Sequence, residues 1–204
     1  MSAALPAVSR LSPVVVRLLG HNPGPMTLQG TNTYLIGSGS RRLLLDAGEA
    51  GVAQYQQSLA ATLASEQCGL ASLVISHWHH DHIGGAAGVV QAQPQVVVHK
   101  FPRLEDQLDG LTISPLEDGQ LLEVEGASCR VIHTPGHTTD HVMLYLGRIL
   151  HEMLLQEVAC CFSLKIHGMK NTCSTRDLLL KPSLRTRTGT LQRRLHPRRR
   201  NCGI

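Results

Sequence analysis

The sequence predicts an α/β fold, and three observations carry the prediction. Short apolar runs recur between residues 14 and 146, with turn residues between them. One stretch, Val52 to Glu66, instead spaces Val52, Tyr55, Leu59 and Leu63 as a helix does. The run LASLVI, Leu70 to Ile75, leads directly into SHWHHDHIGG, Ser76 to Gly85, where four histidines and an aspartate take five of the six positions from 77 to 82.

Taken in order, MSAALPAVSRLSPVVVR holds Ser and Arg and no acid, since the first acid of the chain is Asp46. That composition is compatible with a mitochondrial transit peptide and equally with an ordinary first strand behind a short ragged lead. VVVRLL (14–19) and TYLIG (33–37) read as strands, and the Gly- and Pro-rich HNPGPMTLQGTN between them reads as a loop. RRLLLDAG (41–48) is a strand ending on Asp46, and Cys68–Gly69 closes the helix that follows. Leu70 to Ile75 is a buried strand, and AAGVVQAQ after Gly84–Gly85 can be helical. QVVVHK (95–100), LLEVEG (121–126) and SCRVIHTPGHT (128–138) continue the strand pattern, and HVMLYLGRIL allows a hairpin through Gly147. From about residue 151 no period of 2 or 3.6 is sustained. HEMLLQEVACCF can form a short amphipathic helix, and beyond Lys181 core-forming residues are few, so residues 151–204 read as a divergent, poorly ordered basic tail.

The 204 residues suit one domain with a sizeable core, filled by aliphatic side chains because aromatics make up only 3%. No apolar run approaches the roughly 20 residues of a spanning helix, so no membrane partner is expected. Cysteines at 68, 129, 160, 161, 173 and 202 form no CxxC pair, which points away from a disulfide framework and towards a reducing compartment. Residues 1–150 carry 8 Lys and Arg against 12 Asp and Glu, whereas residues 151–204 carry 11 against 3. The body is mildly acidic and the tail strongly basic.

Zinc favours imidazole nitrogen and carboxylate oxygen, and a catalytic site keeps one position open for water. His77 and His79 stand two apart, so an extended backbone aims both rings the same way. Asp81 and His82 follow on the turn and can face a second ion, which completes the pattern HxHxDH. His80 is expected to point into solvent. Trp78, inside this loop, reads either as a packing residue or as a substrate contact.

Four motifs, TNTYLIG (31–37), LLLDAG (43–48), ISHWHHDHIGG (75–85) and HTPGHT (133–138), resemble the metallo-β-lactamase superfamily in order and separation, and the glyoxalase II branch in particular. The resemblance covers roughly residues 5–146. It implies an αββα sandwich with metal at one edge between two sheets, so that residues 5–150 form a partial domain with an incomplete second half. It implies His77, His79 and His137 as ligands of a first Zn²⁺, and Asp81 and His82 as ligands of a second. Asp46 matches a carboxylate that either holds a ligand imidazole or sits near the bridging water. His133 is expected to be a strand or supporting residue, and Thr31, Asn32 and Thr33 to shape the loop beneath the site.

Two parts of the family pattern are missing. A later strand ending in Gly-Asp, whose carboxylate bridges both metals, has no counterpart among Asp140, Glu152, Glu157 and Asp177. A final histidine in a Gly-His-Gly-like turn is matched by neither His167 nor His196. The expectation is therefore one retained zinc, a weak second site, and a truncated or alternatively spliced chain of reduced stability and hydrolysis. The resemblance implies a metal-dependent hydrolase cutting single-stranded RNA in the mitochondrial matrix, with Asp81 hydrogen-bonding the nucleophile. The alternatives are a thioester hydrolase of glyoxalase II type or a catalytically silent fragment in function, and the cytoplasm in location. The sequence does not specify an oligomeric state.

Overall fold

The computed structural model describes residues 4–105 and 110–146. A seven-stranded sheet runs in simple sequence order: β1 (Val8–Ser12), β2 (Val15–Leu19), β3 (Asn32–Ile36), β4 (Arg41–Leu45), β5 (Gly69–Ile75), β6 (Val97–Lys100) and β7 (Ile113–Pro115). The first four strands pair antiparallel, and β4 to β7 pair parallel. A second, antiparallel sheet holds β8 (Leu121–Val124), β9 (Ala127–His133) and β10 (Val142–Leu146), with β9 in the middle.

Parallel neighbours need crossover connections, and right-handed crossovers put successive helices on one face. The helix α1 (Ala53–Ser65) joins β4 to β5, while α2 (His80–Ile83) and α3 (Ala86–Ala92) join β5 to β6. The period of two along each strand then divides the side chains between two cores. Val16, Leu18, Leu35, Leu44, Leu73 and Ile75 face Tyr55, Leu59 and Leu63 of α1 and Val89 of α3. Val15, Tyr34, Ile36, Leu43 and Val74 face Leu122, Cys129, Val131, Val142 and Leu144 of the second sheet. No described helix contributes to this second core, so the described residues supply three layers of the sandwich.

Helix α1 has no side-chain cap at Val52 and no acid in its first turn. Its stability comes from packing, with each buried large apolar side chain worth about 1.5–3 kcal/mol. At its far end Glu66 receives Arg42 at 3.0 Å and Arg10 as well, which fastens the helix to the sheet.

The structure adds two strands to those the sequence suggested. Residues 8–19 form a hairpin of β1 and β2 rather than a lead and one strand. The three residues of β7 are too few to show a period. Among the described helices, none is long and apolar enough to cross a membrane. The hairpin through Gly147, the helix over HEMLLQEVACCF and the basic tail lie outside the described residues.

Candidate metal centre

Because β4, β5 and β6 are parallel, their carboxyl ends share one edge of the sheet, where open α/β sheets place their ligands. Asp46 leaves β4 there, Ser76 to His82 leave β5, and Lys100 to Arg103 leave β6. The second sheet delivers the segment 134–141 to the same edge. The backbone of Val142 donates to the carbonyl of Ser76 at 2.9 Å, and Lys100 Nζ lies 2.8 Å from Asp140 Oδ2. These two contacts bring His137 to the histidine loop across 60 residues of chain.

His77, His79 and His137 converge, with one ligand atom from each lying within 4.8 Å of the others. His79 Nδ1 is 3.1 Å from His77 Nε2 and 3.1 Å from His137 Nε2. The proton positions decide what this cluster wants. The single hydroxyl proton of Ser76 goes to Asp46 Oδ2 at 2.9 Å. Ser76 Oγ must therefore accept from His77 Nδ1, 2.9 Å away, which leaves His77 Nε2 with a bare lone pair facing inward. His79 Nδ1 then carries at most one proton to share between two contacts. A cation at the centre satisfies all three nitrogens at once, so this donor set fits a divalent metal. Burial, together with the neighbouring histidines, lowers the His77 pKa to about 2, and burial followed by His137 lowers that of His79. Both rings are thus neutral donors. His77 is buried, His79 half-buried and His137 exposed, so the cluster opens to solvent on one side.

The model of the metallo-beta-lactamase superfamily matches residues 26–148. The chain belongs to this superfamily. It is 46% identical over 154 residues to the beta-lactamase-like protein 2 homolog of Drosophila melanogaster, covering 71% of this chain and 53% of that protein. It is 40% identical over 144 residues to the atrochrysone carboxyl ACP thioesterase nsrC of Aspergillus novofumigatus, covering 71% of this chain and 43% of that enzyme. The chain thus spans about half the length of the curated relatives it matches. A solved metallo-beta-lactamase family protein from Thermus thermophilus superposes with a TM-score of 0.56 at 20% identity, over 67% of this chain and 57% of that one, which supports the fold. Superfamily members are generally hydrolases that use divalent metals, and the three-histidine cluster lies where such an ion fits.

Asp81 and His82 stand beside the cluster rather than in it. His82 lies 4.2 Å from His77, ring to ring, and its Nε2 is 3.3 Å from Asp81 Oδ2. They lie on the short helix α2, where a looser turn was expected. Among the described residues no third metal-binding side chain completes a group with them. Burial opposes protonation of His82, but the carboxylates of Asp46 and Asp81 overcome it and raise the pKa to about 10. Burial likewise opposes ionisation of Asp81, yet hydrogen bonds and charge from His82, with Thr31, hold it well below the usual carboxylate range.

Asp46 braces both parts. It accepts from the Ser76 backbone at 2.7 Å and from the Ser76 hydroxyl, and it holds His82 Nδ1 at 2.7 Å. Its φ of 63° is left-handed, which is uncommon outside glycine and fits strain stored at a functional site. His80 projects into solvent, 82% exposed, with Glu49 at 3.6 Å. His133 stacks on Phe101 at 3.9 Å and bonds the Thr139 carbonyl at 2.9 Å, away from the cluster.

Four participants escaped the sequence reading. Thr31, expected only to shape a loop, holds Asp81 Oδ2 at 2.8 Å. His141 is buried 5.3 Å from His77, ring to ring, with Nδ1 on Thr134 Oγ1 at 2.7 Å. Asp140, which the sequence offers only as a bridging ligand, is buried against Lys100, a residue in no motif. A lysine closing the apolar run VVVHK was the available signal, because a buried ammonium requires a partner.

Proposed function

We propose that this chain is a zinc-dependent phosphodiesterase of the metallo-β-lactamase superfamily acting on single-stranded RNA. One observation carries the reading: three imidazoles from two separate loops converge on one point that is open to solvent. His77, His79 and His137 would hold the ion, and their three nitrogens leave one position for water. When bound, zinc lowers the pKa of its water to about 7 and polarises the oxygen it contacts. Asp81, fixed by Thr31 and His82, is an ionised acceptor that would hydrogen-bond and orient the attacking water. Ser76 and Asp46 keep the His77 ring in its working tautomer. Asp81 and His82 alone would hold a second ion weakly.

The test is zinc content together with turnover of single-stranded RNA. We expect one tightly held zinc per chain, lost in His137→Ala, and RNA cleavage abolished by Asp81→Ala. A chain that holds no zinc overturns the reading. A second reading, thioester hydrolysis, is favoured by the relative named an ACP thioesterase. Turnover of an acyl thioester with no RNA cleavage would select it.

A further inference from the structure

We propose that Asn22 is a positioning residue for Asp81 and acts through Thr31: its amide commits the Thr31 hydroxyl proton to the Asp81 carboxylate. The inference rests on the reading above in which Asp81 orients the attacking water, and it adds how that carboxylate is aimed. Asn22 lies in the Gly- and Pro-rich loop between β2 and β3. Four hydrogen bonds hold it there. The Thr31 backbone N–H donates to Asn22 Oδ1 at 2.8 Å. Asn22 Nδ2 donates to Thr31 Oγ1 at 3.2 Å and to Glu49 Oε2 at 3.1 Å. The Asn22 carbonyl accepts from Thr27 Oγ1 at 2.5 Å. Gly20 leaves room for the amide, since a Cβ there would lie 2.9 Å from Asn22 Oδ1.

The chemistry of the partners fixes which end of the amide is which. A backbone N–H can only donate, and an ionised carboxylate can only accept. Asn22 Oδ1 therefore faces the Thr31 N–H, and the two amide hydrogens go to Glu49 and to the Thr31 hydroxyl. That hydroxyl has a single proton of its own. Because Thr31 Oγ1 accepts from Asn22, its proton goes to Asp81 Oδ2, 2.8 Å away. Thr31 is buried, so solvent competes little for either bond. His82 Nε2 meets the same Asp81 oxygen at 3.3 Å. Two partners on one oxygen fix the rotation of the carboxylate about its Cβ–Cγ bond. Asparagine is required for this polarity. Aspartate has the same shape and would keep the bond from the Thr31 N–H, but it has no donor. It would draw the hydroxyl proton towards itself and away from Asp81.

Two measurements on the full chain test the relay. The first needs no substrate: melting curves in EDTA for Asn22→Asp, Asp81→Asn and the double variant. In the double variant the bonds can run in reverse, from the new amide through the Thr31 hydroxyl to the new carboxylate. Its Tm should therefore lie about 3 °C above the value expected from adding the two single changes. In a Thr31→Val background that coupling should vanish, whereas direct repulsion between two carboxylates would survive loss of the hydroxyl. Additive changes, or a coupling untouched by Thr31→Val, would overturn the relay. The second measurement is steady-state cleavage of a labelled oligouridylate by the zinc-loaded chain. Asn22→Asp should lower kcat about 10–100-fold, the cost of losing a hydrogen bond to a charged group. KM should stay within about twofold, and zinc content should match wild type, because none of the three histidines is touched. Asn22→Ala leaves the Thr31 proton on Asp81 and should cost less than Asn22→Asp. An asparagine that only packed the loop would give the opposite order, since alanine removes every side-chain bond and aspartate keeps one; that order would overturn the assignment. A wild type that leaves the RNA intact overturns the RNA reading alone, because the melting cycle still decides the relay.

Discussion

Replacing Lys100 by methionine isolates one polar contact between β6 and the segment that carries His137. The ammonium is 1% exposed, the Asp140 carboxylate 0%, and they stand 2.8 Å apart. At an effective dielectric of about 20 the attraction at this distance is about 6 kcal/mol. Withdrawing each ion from water costs several kcal/mol, so the intact pair is close to neutral. Lys100→Met removes the attraction and leaves a buried carboxylate behind, which costs about 3–5 kcal/mol. For a chain of this size that is a fall in Tm on the order of 10 °C. Asp140→Leu added to Lys100→Met removes the orphaned charge and should recover most of the loss. Calorimetry of the single and double variants checks the cycle. A single variant melting within about 2 °C of wild type, or a double variant less stable than the single, would refute the reasoning.

Other perturbations test other contacts. Asp46→Asn should weaken metal binding by about 10–100-fold, because it loosens Ser76 and His82 together; chelator competition measures this, and unchanged affinity would count against the bracing role. Gly85→Ala puts a Cβ 2.1 Å from the Ala47 carbonyl oxygen, and should cost about 3 kcal/mol. Gly136→Ala meets nothing within 4 Å and should lie within about 0.5 kcal/mol of wild type in urea denaturation; equal losses would contradict the packing described. Burial pushes the Cys129 thiol up to about 12. The unfolded thiol ionises near 8.5, so this raised value contributes stability that is complete below that pH and is lost as pH climbs towards 12. Urea midpoints should fall between pH 8 and pH 10 by the equivalent of about 2 kcal/mol, and Cys129→Ala should remove that part of the fall. A drop of the same size in the variant would dismiss the thiol as its source.

What the sequence made legible follows from how local each signal is. The loop HxHxDH is contiguous, and the strand before it is apolar on both faces because helices cover one side and a sheet the other. The position of Asp46 at the end of β4 was equally readable, since a carboxylate after a buried strand lands on the ligand-binding edge. The hairpin of β1 and β2 was obscured because β1, VSRLS at the edge of the sheet, is largely exposed and offers no apolar run. Lys100, Asp140 and His141 were invisible for a different reason. Each matters through a neighbour dozens of residues away, and a charged residue next to an apolar run looks the same whether it faces solvent or a partner. Thr31 shows the same limit, because its bond to Asp81 spans 50 positions.

The Val142–Ser76 bond has a consequence for the order in which the molecule is made. Everything needed to present His77 and His79 is encoded before residue 116, whereas the third imidazole must wait for β8 and β9 to emerge and for β10 to find its mate. Contacts of such sequence separation form late, and domains are synthesised from the amino end. A nascent chain would therefore greet an ion with two rings and close upon it only when β10 docks.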